Sequence, residues 1–288
     1  ISTNVFGPIY DLHFMFARIH MISKADILGL AQSPTTVQLC IPGLWSIQVQ
    51  KVPPGQPYVS ANGGTAFALT SGSLSLLAIY NTSSINSGVT NVRLSDGRPP
   101  SPPLTFFEQP PSLPQRSTDG NCHSADSYYV NFDGGDTSIS SVHYANGYLY
   151  TSLSVFGSST RTDLRLVVIR PVIGGSAGAP VYLSRLVADV TIQSADGVTS
   201  FTRPNVAVSR KGHGLITVLV TSPRMFLSLG AFSLGPDFSV SSNFLLIGVG
   251  AGPYSHSDEH ELARVGDYSV GQVVDDTTIW VAGEYIPS

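Results

Sequence analysis

The chain has 288 residues, enough for a substantial core in one large all-β domain or two smaller ones. Charged residues make up only 12%, and 15 Lys and Arg against 19 Asp and Glu leave a formal charge of −4 with no basic stripe, which argues against a nucleic-acid surface. No apolar run approaches the ~20 residues a membrane-spanning helix needs, whereas 28 Gly and 20 Pro suit many short strands joined by turns.

The chain opens at Ile1 without a methionine or a signal-peptide profile, which reads as a processed chain or a portion of a longer one. Residues 10–23 (YDLHFMFARIHMIS) read as one or two strands and Lys24–Leu30 as a short helical turn or loop. Val37–Val52 alternates in part, through Leu39, Ile41, Leu44, Ile47 and Val49, and is broken at Pro42-Gly43. Leu74–Tyr80 is a strongly apolar strand. Arg98–Pro114 (RPPSPPLTFFEQPPSLP) follows it, and its prolines forbid a central strand and favour an extended surface connector. Leu164–Ile169 and Met225–Leu234 repeat the character of Leu74–Tyr80. No long 3.6-residue period appears, so helix is limited to a few turns.

One pattern recurs four times. Val59 begins VSANGGTAFALTS, Ser141 begins SVHYANGYLYTSLS, Asn205 begins NVAVSRKGHGLITVLVTS and Ser269 begins SVGQVVDDTTIWVAGEY. Each is a β-rich run, a tight turn and a second run. The turns are Asn62-Gly63-Gly64, Asn146-Gly147, Gly212-His213-Gly214 and Asp275-Asp276, residue types that tolerate positive φ and suit hairpins. An apolar strand follows each of the first three hairpins, so the repeating unit holds at least three strands. The turns recur at intervals longer than the ~40–50 residues of compact propeller blades, which predicts blades with insertions. The expected fold is all-β: a single β-propeller domain over 1–288 with four-stranded-type blades. Four to five blades are visible, the N-terminal side is open to further blades, and the Pro-rich insertion covers about 98–114.

Cys40 and Cys122 can pair as one disulfide or stand as two unrelated thiols. Asn81-Thr82-Ser83 is the one N-glycosylation sequon. His256-Ser257-Asp258-Glu259-His260 fits H-x-x-E-H, in which two histidines bind zinc and the Glu activates water. That chemistry needs a helix, and Gly250 to Pro253 with Gly266 flank the motif, which favours a polar loop. Asp133-Gly134-Gly135-Asp136 lacks the spacing of a dedicated calcium loop and reads as an acidic turn. Gly174-Gly175-Ser176-Ala177-Gly178 lacks the Lys of a phosphate loop and reads as a flexible connector. No metal site and no cofactor are expected. Trp45, Trp280 and the tyrosines are candidates for stacking on sugars, against the commoner role of aromatics in a core.

Arg264-Val265-Gly266-Asp267-Tyr268-Ser269, then Asp275-Asp276-Thr277-Thr278-Ile279-Trp280 and Glu284-Tyr285, resemble a group of secreted proteins of unassigned function. These share a sialidase-like β-propeller appearance and end in an R-W-G-D-Y-S … D-D-x-T-F-W … E-Y pattern. Tyr10–Leu28, Asp136–Ser152 and Arg203–Val208 fit other segments of the group in order, with departures at Val265 and Tyr150, where the group usually has Trp. The resemblance implies a propeller and an extracellular location, with further blades upstream or supplied by a partner chain. Arg264, Asp267, Tyr268 and Glu284 are the residue types a sialidase-like enzyme would use, Arg to hold a carboxylate, Tyr and Glu as nucleophile and base. The other reading pairs Arg264 with Asp267 as a structural ion pair. The arginine trio of sialidases has no matching motif among Arg18, Arg161, Arg165, Arg170, Arg203, Arg210 and Arg224.

The expected function is a structural or adhesive module of a cell surface, matrix or filament, secreted and self-assembling or bound to a surface partner. A sialidase-like glycoside hydrolase and a carbohydrate-binding lectin are the alternatives. Pro99, Pro100, Ser101, Pro102 and Pro103 resemble the hydroxyproline-rich wall glycoproteins of green algae and plants, which implies O-glycosylation there beside Asn81.

Overall fold

The computed structural model describes residues 2–6, 14–22, 36–42, 47–52, 65–70, 76–79, 89–92, 131–132, 141–158, 161–176, 179–222, 225–252, 262–263 and 269–285. Among the described residues every regular element is a strand and none is a helix. In chain order these are β1 (Ser2–Phe6), β2 (Phe14–Ile22), β3 (Thr36–Pro42), β4 (Ile47–Val52), β5 (Thr65–Thr70), β6 (Leu76–Ile79) and β7 (Val89–Val92). There follow β8 (Asn131–Phe132), β9 (Val142–Ala145), β10 (Tyr148–Ser158), β11 (Arg161–Ser176), β12 (Ala179–Ile192) and β13 (Ser200–Val208). The last are β14 (Gly214–Ser222), β15 (Met225–Leu234), β16 (Leu245–Gly248), β17 (Leu262–Ala263), β18 (Val270–Val273) and β19 (Ile279–Ala282).

Strands that follow one another in sequence lie side by side. The orders are β1-β2-β3, β4-β5-β6-β7, β12-β11-β10-β9, β13-β14-β15-β16 and β18-β19, with β8 and β17 as a short parallel pair. Antiparallel four-stranded sheets of this kind extend the expectation of at least three strands per repeat. The chain divides into two compact units. The first takes Ile1–Pro100, Gly147–Leu149 and Ile169–Val187, and the second takes Ser101–Asn146, Tyr150–Val168 and Ala188–Ser288.

In the first unit, β3 and β4 end and begin on either side of Pro42-Gly43, as the sequence predicts. The first repeat differs from its expected form. Thr65–Thr70 pairs with Ile47–Val52, Val52 opposite Thr65, and on its other edge with β6, while Val59–Ala61 lies outside the described residues. Gly174, Gly175 and Ser176 correct a second expectation, because they end β11 rather than forming a connector. Their flanks, Val172-Ile173 and Pro180-Val181-Tyr182, carry the β-branched and aromatic residues that hold a strand through glycine.

The second unit holds a sheet covered on both faces. On β14, Ile216, Val218 and Val220 are buried on one face, and Thr217, Leu219 and Thr221 on the other. This explains the apolar run Leu215–Val220, interrupted only by Thr217, which alternation alone would not produce. The two buried threonines are satisfied locally: Thr217 Oγ1 donates to the Asn205 carbonyl at 3.3 Å and Thr221 Oγ1 to the Met225 carbonyl at 3.2 Å. Phe201, Phe232 and Phe244 pack edge to face, with centroid distances of 5.0, 5.4 and 5.9 Å.

Among the described residues the turns follow their sequence with one exception, and Asn62-Gly63-Gly64 lies outside them. Asn146 (φ 52°) and Gly147 (φ 83°) both take the left-handed region, as a two-residue hairpin turn requires. Gly212 (φ 85°) does so in the β13–β14 turn. Asp275 and Asp276 do not. Their turn is instead shaped by the Asp275 carboxylate, whose Oδ1 accepts from the Thr277 N–H at 2.7 Å and the Thr277 hydroxyl at 2.8 Å.

Candidate functional site

The recurring pattern has a physical seam at its first residue. Ser141, Asn205 and Ser269 open the second, third and fourth repeats, and in the second unit β13 packs against both β9 and β18. The Val206 N–H donates to Ser141 Oγ at 3.3 Å. Asn205 reaches the other way: its Nδ2 donates to the Ser269 carbonyl at 3.1 Å, and its Oδ1 accepts from the Gly271 N–H at 3.0 Å. A side-chain amide thus copies a strand's donor–acceptor pair and joins β13 to β18, although 64 residues separate Asn205 from Ser269. Gly271 permits the close approach, because a Cβ there would lie 2.8 Å from Ala207 Cβ.

A bulge beside the seam is locked from both sides. The β13–β14 register shifts between Thr202 and Asn205, where Pro204 has no N–H to give to the ladder, and Arg203 takes φ 51°. Ser154 Oγ accepts from the Arg203 N–H at 3.2 Å, and Ser269 Oγ donates to its carbonyl at 3.3 Å. Left-handed φ at a residue before proline is costly, and these bonds hold it.

The three strands run out into a cleft of about 470 Å³ that gathers His143, Tyr144, Arg210, Gln272, Asp275 and Asp276 over Ala145 and Val208. Burial pushes His143 below its ordinary pKa, against a hydrogen bond with the Val208 backbone that works the other way, so the imidazole is neutral at pH 7. Burial alone raises the Tyr144 phenol. Asp275 is fully exposed, and the Thr277 N–H and hydroxyl hold it below the usual carboxylate range. Arg210 is exposed and makes no ion pair among the described residues. The cleft therefore offers one cation, two carboxylates and a neutral imidazole, a rim for polar contacts of either sign.

A second cleft, about 650 Å³, opens at the other end of β13. Phe201, Phe244 and Met225 give its apolar part, and Gln193, Asp196, Ser242 and Asn243 are among its polar edge. Asp196 forms a closed turn: Oδ1 accepts from the Val198 and Thr199 N–H groups at 3.0 and 2.9 Å, and Oδ2 from the Thr199 hydroxyl at 2.6 Å. Desolvation pushes this carboxyl upward, but the Thr199 side-chain and backbone bonds, with that from the Val198 N–H, outweigh it and hold the group well below the usual range.

Behind this cleft lies an ion pair that spacing alone could have shown. Arg161 and Asp163 stand two apart on one face of β11, joined at 2.7 and 3.0 Å, with the Asp163 side chain only 1% exposed. Gln193 Nε2 donates to the same carboxylate at 3.1 Å. Arg165 is paired as well, across to Asp189 on β12 through two contacts of 2.5 Å. Two arginines of the scattered set are thus committed to structural pairs.

Of the residues the sequence singled out, Glu284 is exposed just beyond β19, and Trp280 is 68% exposed on β19 opposite Gln272. Cys40 lies on β3 opposite Arg18. Arg264, Asp267, Tyr268, Asn81, Pro99, Pro100, Ser101, Pro102, Pro103, Cys122, Trp45, Asp133–Asp136 and His256–His260 lie outside the described residues. Among the described residues no three His, Cys, Asp or Glu side chains are grouped to hold a metal. Sequence reading missed His143, Arg210 and Asp196, whose signals are their positions beside the repeat turns and the Asp-Gly-x-Thr spacing of an Asx turn. Comparison with known proteins finds no matching family model, no matching curated protein and no matching solved structure.

Proposed function

We propose that the chain is a β-propeller module with a structural or adhesive role outside the cell, at a cell surface or in a matrix or filament. The observation that carries this reading is the Asn205 seam, which joins the opening strands of consecutive repeats through main-chain groups of β18. Opening strands set side by side, each leading its own antiparallel sheet, are what blades around an axis require. Asp275 in one cleft and Asp196 in the other have their carboxylates tied into their own turns, which suits fixed recognition surfaces more than proton transfer.

The test is electron microscopy of the native material together with light scattering of the purified chain. Regular contacts between copies, or retention on the parent cell surface, support the module. A dispersed monomer that hydrolyses glycosides would overturn it in favour of the sialidase-like alternative. A lectin activity has its own support in the cleft beside Phe244.

A further inference from the structure

We infer that the cleft at the start of β13 binds a neutral carbohydrate, with the Phe244 ring as its stacking platform. This deepens the adhesive reading and rests on it. The volume, about 650 Å³, lies within the range of ligand pockets. Phe244 is half-buried, and its ring is fixed by edge-to-face contacts with Phe201 and Phe232, so a stacked ligand would meet a surface already in place.

The polar edge selects the ligand class. Among the described residues that line the cleft none is Lys, Arg or His and the one ionised group is a carboxylate, so this lining favours a neutral sugar over an acidic one. Asn243 and Ser242 are exposed, and their side chains make no hydrogen bond among the described residues. An amide and a hydroxyl offer donors and acceptors together, the pattern a pair of neighbouring sugar hydroxyls needs. Asp196 Oδ2 accepts one short bond from Thr199 and keeps acceptor capacity for a further hydroxyl. Gln193 is held in place through Nε2 by the buried Asp163, which leaves its Oε1 to accept.

The experiment is calorimetric titration of the whole chain with neutral gluco- and galacto-oligosaccharides, their sulfated counterparts, and choline. A neutral oligosaccharide should bind, the sulfated form at least about tenfold more weakly. Phe244→Leu, which keeps apolar volume and removes the ring, should weaken binding about tenfold, and Asn243→Ala about fivefold. Asn243 is exposed, so its variant folds whatever becomes of the Phe244 variant. Arg210→Ala, in the other cleft, should leave binding unchanged. Choline binding in preference to sugars would overturn the inference, as would sugar binding indifferent to both cleft variants, or no sugar binding at all. In that last case an intact Asn205 seam would still leave the structural module standing.

Discussion

Asn205 is the residue on which the seam depends most. Replacing it with Ala leaves the Gly271 N–H and the Ser269 carbonyl without their partner at a part-buried site. Asn205→Ala should therefore cost about 2–4 kcal/mol in urea unfolding, and Asn243→Ala, on the surface, less than about 0.5 kcal/mol. Gly157→Ala should cost about 1–3 kcal/mol, since its Cβ would lie 2.5 Å from Asp163 Cγ and push on the Arg161–Asp163 pair. His143 sets a pH dependence whose sign is fixed by burial. Its folded pKa is below the ordinary value of 6.5, so the unfolded chain takes up the proton first. Stability is then full above about pH 6.5 and is lost as the pH falls from there toward the folded pKa. Asp196, Asp237 and Asp275 act in a separate window, because their lowered pKa values add stability that is lost only as the pH falls below 3.8. His143→Gln should flatten the stability curve just below pH 6.5 and leave the acid limb, as thermal midpoints measured across pH would show. The Asn146-Gly147 turn was legible in the sequence because its cause is local. Asn205 was not, since nothing near it in the chain points to Ser269.

At the scale of elements, long apolar segments were the readable part. Leu164–Ile169, with three β-branched residues, and Met225–Leu234, with two phenylalanines among its leucines, read as strands without their neighbours. Strand ends and partners were harder. Val59–Ala61 resembles a first hairpin strand, yet β5 has both edges occupied by β4 and β6, and only long-range pairing decides that. Asp275-Asp276 suggested left-handed backbone, but a carboxylate that caps Thr277 does the same work without strain. The β13–β16 sheet should respond as a core does: Phe232→Ala, at a ring 1% exposed between Phe201 and Phe244, should cost about 3–5 kcal/mol. Trp280→Ala, on an exposed face, should move thermal stability by less than about 0.5 kcal/mol. Equal losses for the two would place Trp280 in an interface of the assembled protein.

For the whole molecule, the repeat is the feature that sequence reading carried furthest, and the sites are where it stopped. Both clefts are built by residues from three separate stretches of chain: His143, Arg210 and Asp275 in one, Asp196, Met225 and Phe244 in the other. No motif spans such gaps, so composition and spacing could not have assembled them. What unites the two levels is the seam, where a position that looked like mere repetition turns out to join β13 to β18. The most direct measurement is an experimental structure of the native protein at side-chain resolution, read at Asn205. The expected result is β9, β13 and β18 side by side about one axis, with Asn205 bridging Ser269 and Gly271. Four-stranded sheets stacked face to face about 10 Å apart, as in a sandwich, with Asn205 facing solvent, would contradict it.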